Sequence, residues 1–348
     1  MKGRVLLLDQ GHAALLVDGR LEDLLLEDPA GHPSPGDIYR ARVDRVMPNM
    51  GGVFLRLGPD LQGYLREGKG VRSGTEMLVQ VSGYAEPGKA VPVSRRPLLK
   101  SRRVILTPGA PGVNISRSIR DLEIRSSLGE VVWDEPDIGL ILRSAARAAS
   151  PTDLGAEAAR LLSAWRKIEE GDGGRLWHLS GTEMALNEWT DPVPDAIHAK
   201  GMTTQLFKIV VELFGRDPLT EDDPFDRLGV WEAVEALSCP ELPLPSGGSM
   251  VIEPTRALVA VDVNAADGSA MTANVEAARE LPRQLRLRGL GGQIAVDFAP
   301  LKKMHRKKIE EVLKAALRRD PVETQMVGWT PLGHMELNRK RERRPIIS

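Results

Sequence analysis

Cysteine is almost missing from this chain: Cys239 is the only one in 348 residues. A lone thiol excludes a disulfide framework and a cysteine-built zinc cluster within one chain, and it fits a reducing, cytoplasmic setting. Long apolar runs are missing too. None approaches the roughly 20 residues that span a bilayer, so no membrane partner is expected. The opening stretch imitates a signal peptide with Lys2, Arg4 and Leu6–Leu8, but Asp9, Gln10 and His12 interrupt it and no small-residue cleavage site follows. It reads instead as a first β-strand. What remains is 42% hydrophobic and 27% charged, the balance of a soluble folded chain long enough for several domains.

Net charge is nearly absent as well, at −1, but the cations are unevenly placed. From Leu281 to Ser348 there are 16 Lys and Arg against 7 Asp and Glu. Such a surplus suits a polyanion, because lysine and arginine gain affinity by releasing counterions from phosphates. A solvated basic helix face is the alternative.

Arg4–Leu8 and Ala13–Leu16 read as short strands with a turn at Gly19-Arg20, and Gly31–Pro35 closes the segment. Five more short strands follow between glycines: Ile38–Val46, Gly52–Leu57, Gly63–Leu65, Met77–Ser82 and Ala90–Val93. Their number and spacing suggest a small OB-type β-barrel. The order Asp37-Ile38-Tyr39, Gly52-Val53-Phe54-Leu55 and Gly63-Tyr64-Leu65 resembles the S1 RNA-binding domain. That resemblance implies that Phe54 and Tyr64 stack on bases while Lys89 contacts the backbone. As isolated residues, both aromatics belong more often to a core.

Arg102–Pro108 and Ile138–Arg143 look like strands. Ser150-Pro151-Thr152-Asp153 then opens a helix, and Ala158, Leu161, Leu162, Trp165 and Ile168 recur along one face until Gly171–Gly174. Between 175 and 240 the pattern supports a strand over Leu176–Leu179 and helices around Gln205–Phe214 and Val230–Leu237. Glu221-Asp222-Asp223 reads as a solvated loop, and Cys239–Pro245 as a boundary.

Ala257–Asn264 is an apolar run that ends on Asp262 and Asn264, and Gln293–Phe298 reaches Asp297 in the same way. A helix over Asn274–Arg288 joins them. A strand–helix–strand unit of this kind brings the C-terminal ends of both strands to one sheet edge, so the two aspartates converge. Burying them unpaired would be costly, and a shared cation would relieve that cost. Two carboxylates with retained waters make a typical Mg2+ site, Mn2+ being the alternative, and Asn264 suits orienting a water or a carboxylate. The structural alternative has Asp262 capping a loop and Asp297 capping the next helix.

Leu244-Pro245-Ser246-Gly247-Gly248-Ser249, Ala260-Val261-Asp262-Val263-Asn264, Asn274-Val275-Glu276-Ala277, Arg283–Gly292, Val296-Asp297-Phe298, Gly333-His334-Met335-Glu336-Leu337 and Arg339-Lys340-Arg341 occur in order over about 100 residues. Together they resemble the catalytic domain of the ribonuclease E/G family. The resemblance implies a magnesium-dependent endoribonuclease acting on single-stranded RNA. Asp262 and Asp297 would hold the metal, and Asn264 would support the attacking water. It also implies an α+β multidomain fold: a split ribonuclease H-like subdomain (1–35 and 175–243), an inserted S1 barrel (36–97), a 5′-sensor region (98–174) and a DNase I-like α/β catalytic domain (244–348). Asn114–Arg117 and Leu142-Arg143-Ser144 are similar to the sensor, so Arg143 and Ser144 would grip a 5′-monophosphate.

The chain departs from the family at Glu323, where an arginine is expected to complete the phosphate pocket, and in a shorter loop between Asn264 and Asn274. It stops at Ser348 without the paired-cysteine segment that links protomers, so no structural zinc is expected, and a homodimer through another surface stays open. Lys302, Lys303, Arg306 and Lys307 open a helix after Asp297, where positive charge opposes the helix dipole, and RNA phosphates would account for them. Arg339–Arg344 extends that surface or forms a frayed tail. The competing functions are a non-catalytic RNA-binding protein on the same scaffold and a metal-dependent nuclease acting on DNA.

Overall fold

The computed structural model describes residues 2–47 and 51–346. They form a mixed α+β protein whose strands fall into four sheets, one of them closed into a barrel. The chain divides into two compact units, Arg4–Ala13 with Leu26–Thr220, and Ala14–Leu25 with the part from Glu221 onward.

In the larger unit the five glycine-punctuated strands are Ile38–Met47, Gly52–Gly58, Leu61–Leu65, Glu76–Val81 and Val91–Ser94. Ile38–Met47 pairs with both Gly52–Gly58 and Glu76–Val81, and Val91–Ser94 joins Leu61–Leu65 to Glu76–Val81, so the ring closes. Alternation drives the closure. Val53, Leu55 and Leu57 point into the barrel and are buried, while Phe54 and Arg56 between them face outward.

A second sheet holds Leu99–Lys100, Val104–Pro108, Ile138–Leu142 and Gly112–Ile115, with the helix Pro151–Glu170 beside it. The Ser150 hydroxyl caps that helix by accepting from the N–H of Asp153, and Leu154, Ala158, Leu161, Trp165 and Ile168 form its buried face. Leu162 is only partly buried, and the face includes Glu157 instead. Its carboxylate accepts from the Ser101 hydroxyl at 2.5 Å and from Arg103 N and Nε at 2.9 and 2.6 Å. Apolar periodicity cannot reveal a residue whose burial depends on such partners.

The stretch from 175 to 220 is richer than its sequence pattern. The expected strand over Leu176–Leu179 lies earlier, at Gly174–Trp177, where it pairs with Ile38–Met47. The helices Gly181–Glu188 and Thr204–Phe214 and the strands Ala196–Lys200 and Leu219–Thr220 follow. Ala196–Lys200 runs parallel to Arg4–Asp9, whose Leu6, Leu7 and Leu8 are fully buried. His178 lies between two carboxylates, with Nδ1 at 2.8 Å from Asp37 and Nε2 at 2.9 Å from Glu27. The hydrogen bond to Asp37 is the main cause that holds its pKa above the ordinary histidine value.

In the smaller unit, Glu221 pairs with Arg227 and Asp223 caps a short helix, so the acidic stretch is a loop. Six strands then form one sheet in the order Glu241–Pro243, Ser249–Pro254, Val259–Asn264, Gly292–Asp297, Met335–Arg339, Thr324–Trp329. Only Val259–Asn264 and Gly292–Asp297 are parallel neighbours. Ala270–Leu287, the crossover helix, connects them. It begins a turn before Asn274 because the Ser269 hydroxyl accepts from the N–H of Thr272. Lys303–Leu317, the basic helix, packs beside it. Val261, Ile294 and Val296 from the strands meet Leu281, Leu285, Ile309 and Leu313 from the helices in one core.

The C-terminal arginines require a correction. Arg339 and Arg343 belong neither to an outer surface nor to a frayed tail: both are buried. Arg339 reaches Asp320 at 3.0 Å and Thr324 at 2.7 Å, and Arg343 reaches Asp23 at 3.1 Å. Arg286 of the crossover helix also pairs with Asp320, and with Glu22 at 2.7 Å. Part of the positive surplus is therefore internal.

Candidate active site

Asp262 and Asp297 are direct register partners on the two parallel strands, which places them roughly 4.8 Å apart at the backbone. Alternation explains their orientation. Val261, Val263 and Val296 enter the core, so the aspartates, between or beside them, project from the opposite face. Both are exposed, which corrects the expectation of a burial cost: no desolvation has to be offset. Asn264, two residues on and on the same face, donates from Nδ2 to Asp262 Oδ2 at 2.8 Å.

Three neighbouring contacts fix this edge. Asn274, fully buried in the crossover helix, donates to the carbonyl of Ala299 and accepts its N–H, both at 2.9 Å, and so holds the chain two residues beyond Asp297. Glu276, one half-turn on, accepts from N and Oγ of Ser246 at 3.0 and 2.7 Å. That anchors the Ser246-Gly247-Gly248 turn. A Cβ at Gly248 would collide with the carbonyl oxygen of Asn264, so only glycine allows the turn to lie against this strand end.

His334 brings Nε2 to 3.8 Å from Asp297 Oδ2. Arg306 of the basic helix lies over the Trp329 ring, with Cζ 4.7 Å from its centroid. Lys302, Lys303 and Lys307 are exposed beside it, and their ammonium groups have no ion pair among the described residues.

Among the described residues no three His, Cys, Asp or Glu side chains form a ready metal cluster. The donors at this edge are two carboxylates. Hard oxygen, two negative charges and open solvent fit a cation that keeps most of its own waters, as Mg2+ does and Mn2+ can.

In the larger unit, Phe54 and Tyr64 are register partners on the outer face of the barrel. Their ring centroids are 5.2 Å apart, and both rings are half-buried rather than in the core. Tyr64 lies across Gly52, where a Cβ would strike its ring. The cation set over this pair is Arg45, 5.2 Å from the Phe54 centroid. Lys89 pairs with Glu86 at 2.5 Å in an exposed loop. Arg143 directs Nη1 to the carbonyls of Ser101 and Asn187, at 2.5 and 3.1 Å, and Ser144 opens the 3-10 helix Ser144–Ala148. Glu323, in the smaller unit, pairs with Lys340 at 2.6 Å.

Fold and site define a class: a mixed α+β protein that combines an OB-like barrel with a sheet edge bearing paired carboxylates. The sequence profile described as the Ribonuclease E/G family matches residues 98–180 and 195–342. Ribonuclease G of Salmonella typhimurium (strain SL1344) is 28% identical, over 96% of this chain and 78% of that protein. Ribonuclease G of Escherichia coli (strain K12) is similar to the same extent. Ribonuclease E of Escherichia coli (strain K12) is also 28% identical, over 94% of this chain but 35% of its own length. The chain belongs to the ribonuclease E/G family.

Sequence motifs alone assign no role to Asn274, His334, Trp329 or Arg45. For Asn274 a signal existed, because asparagine is a poor choice for a helix interior unless its amide has work there. No sequence signal identifies Arg45, which meets Phe54 only through strand pairing.

Proposed function

We propose that this chain is a magnesium-dependent endoribonuclease that hydrolyses single-stranded RNA, with Mn2+ as the alternative ion. The observation that carries the reading is the register pairing of Asp262 with Asp297 in a chain whose relatives are named ribonucleases. Asp262 and Asp297 would hold the ion between them. When bound, it supplies Lewis-acid polarisation of a phosphoryl oxygen and lowers the pKa of a coordinated water. Asn264 fixes the orientation of Asp262 through its amide N–H, and its amide oxygen can accept from the attacking water.

Lys302, Lys303, Arg306 and Lys307 would meet the RNA backbone. Phe54 and Tyr64 would stack on bases, with Arg45 adding charge, a scheme that reads little sequence. Recognition of a 5′-monophosphate by Arg143 and Ser144 has less support. One nitrogen of Arg143 already serves two carbonyls. We therefore propose cleavage that does not depend on the 5′ phosphate.

The test is incubation with a 5′-labelled, A/U-rich single-stranded RNA in magnesium, beside an Asp262→Ala Asp297→Ala double variant and an EDTA control. Internal cleavage that requires both the metal and the carboxylates is the expected result. Binding without cleavage would replace this reading with a non-catalytic RNA-binding protein, and equal cutting of single-stranded DNA would remove the preference for RNA.

A further inference from the structure

We propose that Trp329 is a positioning residue that holds Arg306 ready for a phosphate of the RNA strand at the carboxylate edge. The inference rests on the ribonuclease reading of that edge. In the run Lys302, Lys303, Arg306, Lys307, Lys308, only Arg306 is half-buried; the lysines are exposed. Its guanidinium lies on the Trp329 face at 4.7 Å, and a Cβ at Gly333 would stand 3.0 Å from Nη2. Gly333 precedes His334, whose ring lies 3.8 Å from Asp297. Arg306 is thus held one residue away from a side chain that reaches the carboxylate edge.

The shelf beneath it is itself fixed. Trp329 donates from Nε1 to Glu310 Oε1 at 2.6 Å, and its ring packs on Phe298 with centroids 5.8 Å apart. Phe298 follows Asp297 in the chain. The position of the guanidinium is therefore tied to the strand end that carries the carboxylate. Among the described residues no carboxylate or carbonyl takes an N–H from the Arg306 guanidinium. A cation held over an aromatic ring spends none of its N–H donors on an acceptor, and the planar fork they form matches two phosphate oxygens. An arginine in the first turns of a helix opposes the helix dipole. The aromatic face offsets that penalty without neutralising the cation, which a carboxylate partner would do.

If Trp329 were only a core filler, its loss would lower stability and leave phosphate recognition unchanged. The experiment measures binding of the A/U-rich RNA against salt in the Asp262→Ala Asp297→Ala background, and kcat and KM with both aspartates intact. Arg306→Ala should lower the salt slope by about 0.7, the value for one phosphate contact on a single strand. Trp329→Leu should lower it equally, with kcat/KM reduced about fivefold, as loss of a cation–π contact implies. The double variant should lose no more than Arg306→Ala alone, and Trp329→Phe, which keeps a ring face, should recover most of the slope. A wild-type slope in Trp329→Leu, or in Arg306→Ala, overturns the proposal. If the unsubstituted protein neither binds nor cuts the RNA, the ribonuclease reading itself falls, a result distinct from either variant's failure.

Discussion

Replacing Asn274 with alanine removes two hydrogen bonds at once, both to the backbone of Ala299. Asn274 and Ala299 are buried, so water cannot readily take over. Each abandoned backbone group costs about 1–3 kcal/mol. Alanine returns part of this, because it is the better helix former by about 0.7 kcal/mol. The expected net loss is about 2–4 kcal/mol, read by chemical denaturation followed by circular dichroism. Activity should suffer independently of stability, since the clamp fixes the chain just beyond Asp297, and a misplacement of ~1 Å near reacting groups can cost about 100-fold. RNA cleavage assayed with added magnesium, well below the unfolding midpoint, would report that effect. Asn274→Asp is the sharper control. It can still accept the N–H of Ala299, but it sets a buried carboxylate against a carbonyl oxygen and should be worse than alanine. An alanine variant within about 0.5 kcal/mol of wild type and equally active would refute the clamp.

Four further outcomes follow from particular contacts. His178, with a pKa raised by Asp37 and Glu27, contributes stability that is fully present below the unfolded value of 6.5 and fades as pH rises through the higher folded value. The melting-temperature gap between wild type and His178→Gln should therefore be wider at about pH 5.5 than at about pH 8.5, and a gap that widens with pH would contradict the pairing. Gly248→Ala should slow RNA cleavage by about tenfold or more while leaving the fold intact, because the new Cβ displaces the strand end at Asn264; an unchanged rate removes that account. Arg143→Ala should cost about 1–3 kcal/mol of stability yet leave the ratio of cleavage rates for 5′-monophosphorylated and 5′-hydroxyl RNA near its wild-type value, and a collapse of a strong ratio would restore the sensor role. Arg339→Met should destabilise by about 3–5 kcal/mol, whereas Lys307→Ala should stay within about 0.5 kcal/mol of wild type and instead lower the salt dependence of RNA binding.

Those two cations show where the sequence was informative and where it was not. Hydrophobic alternation disclosed the barrel, because Val53, Leu55 and Leu57 must share one face whatever the tertiary context. The strand–helix–strand unit was legible for the same reason, and its handed crossover brought Asp262 and Asp297 to one edge before any contact was known. The stretch from 175 to 200 was not, although Ser180 with Glu183 forms a full capping box that marks the start of the helix Gly181–Glu188. That helix is only eight residues long and carries little apolar periodicity, so the cap was the one usable signal.

Charge behaved differently from hydrophobicity. A valine's preference is set by its own side chain, but an arginine's place is set by what it meets. Arg306 and Arg339 are equivalent in composition and both belong to the positive surplus. One lies on an indole face with its donors open, and the other is buried against Asp320, more than 30 residues from Arg286, which shares that carboxylate. Net charge therefore overstates the cations available to RNA by those that hold the smaller unit together. The same distinction separates Asp297 from Asp320. Asp320 is enclosed by two arginines and serves the fold, whereas Asp297 shares its strand edge with Asp262 and faces solvent. Two exposed like charges in register repel each other, a cost to folding that a cation held between them would reverse. Magnesium should accordingly raise the melting temperature of the wild type but not of the Asp262→Ala Asp297→Ala variant. An equal shift in both would show that the ion acts elsewhere.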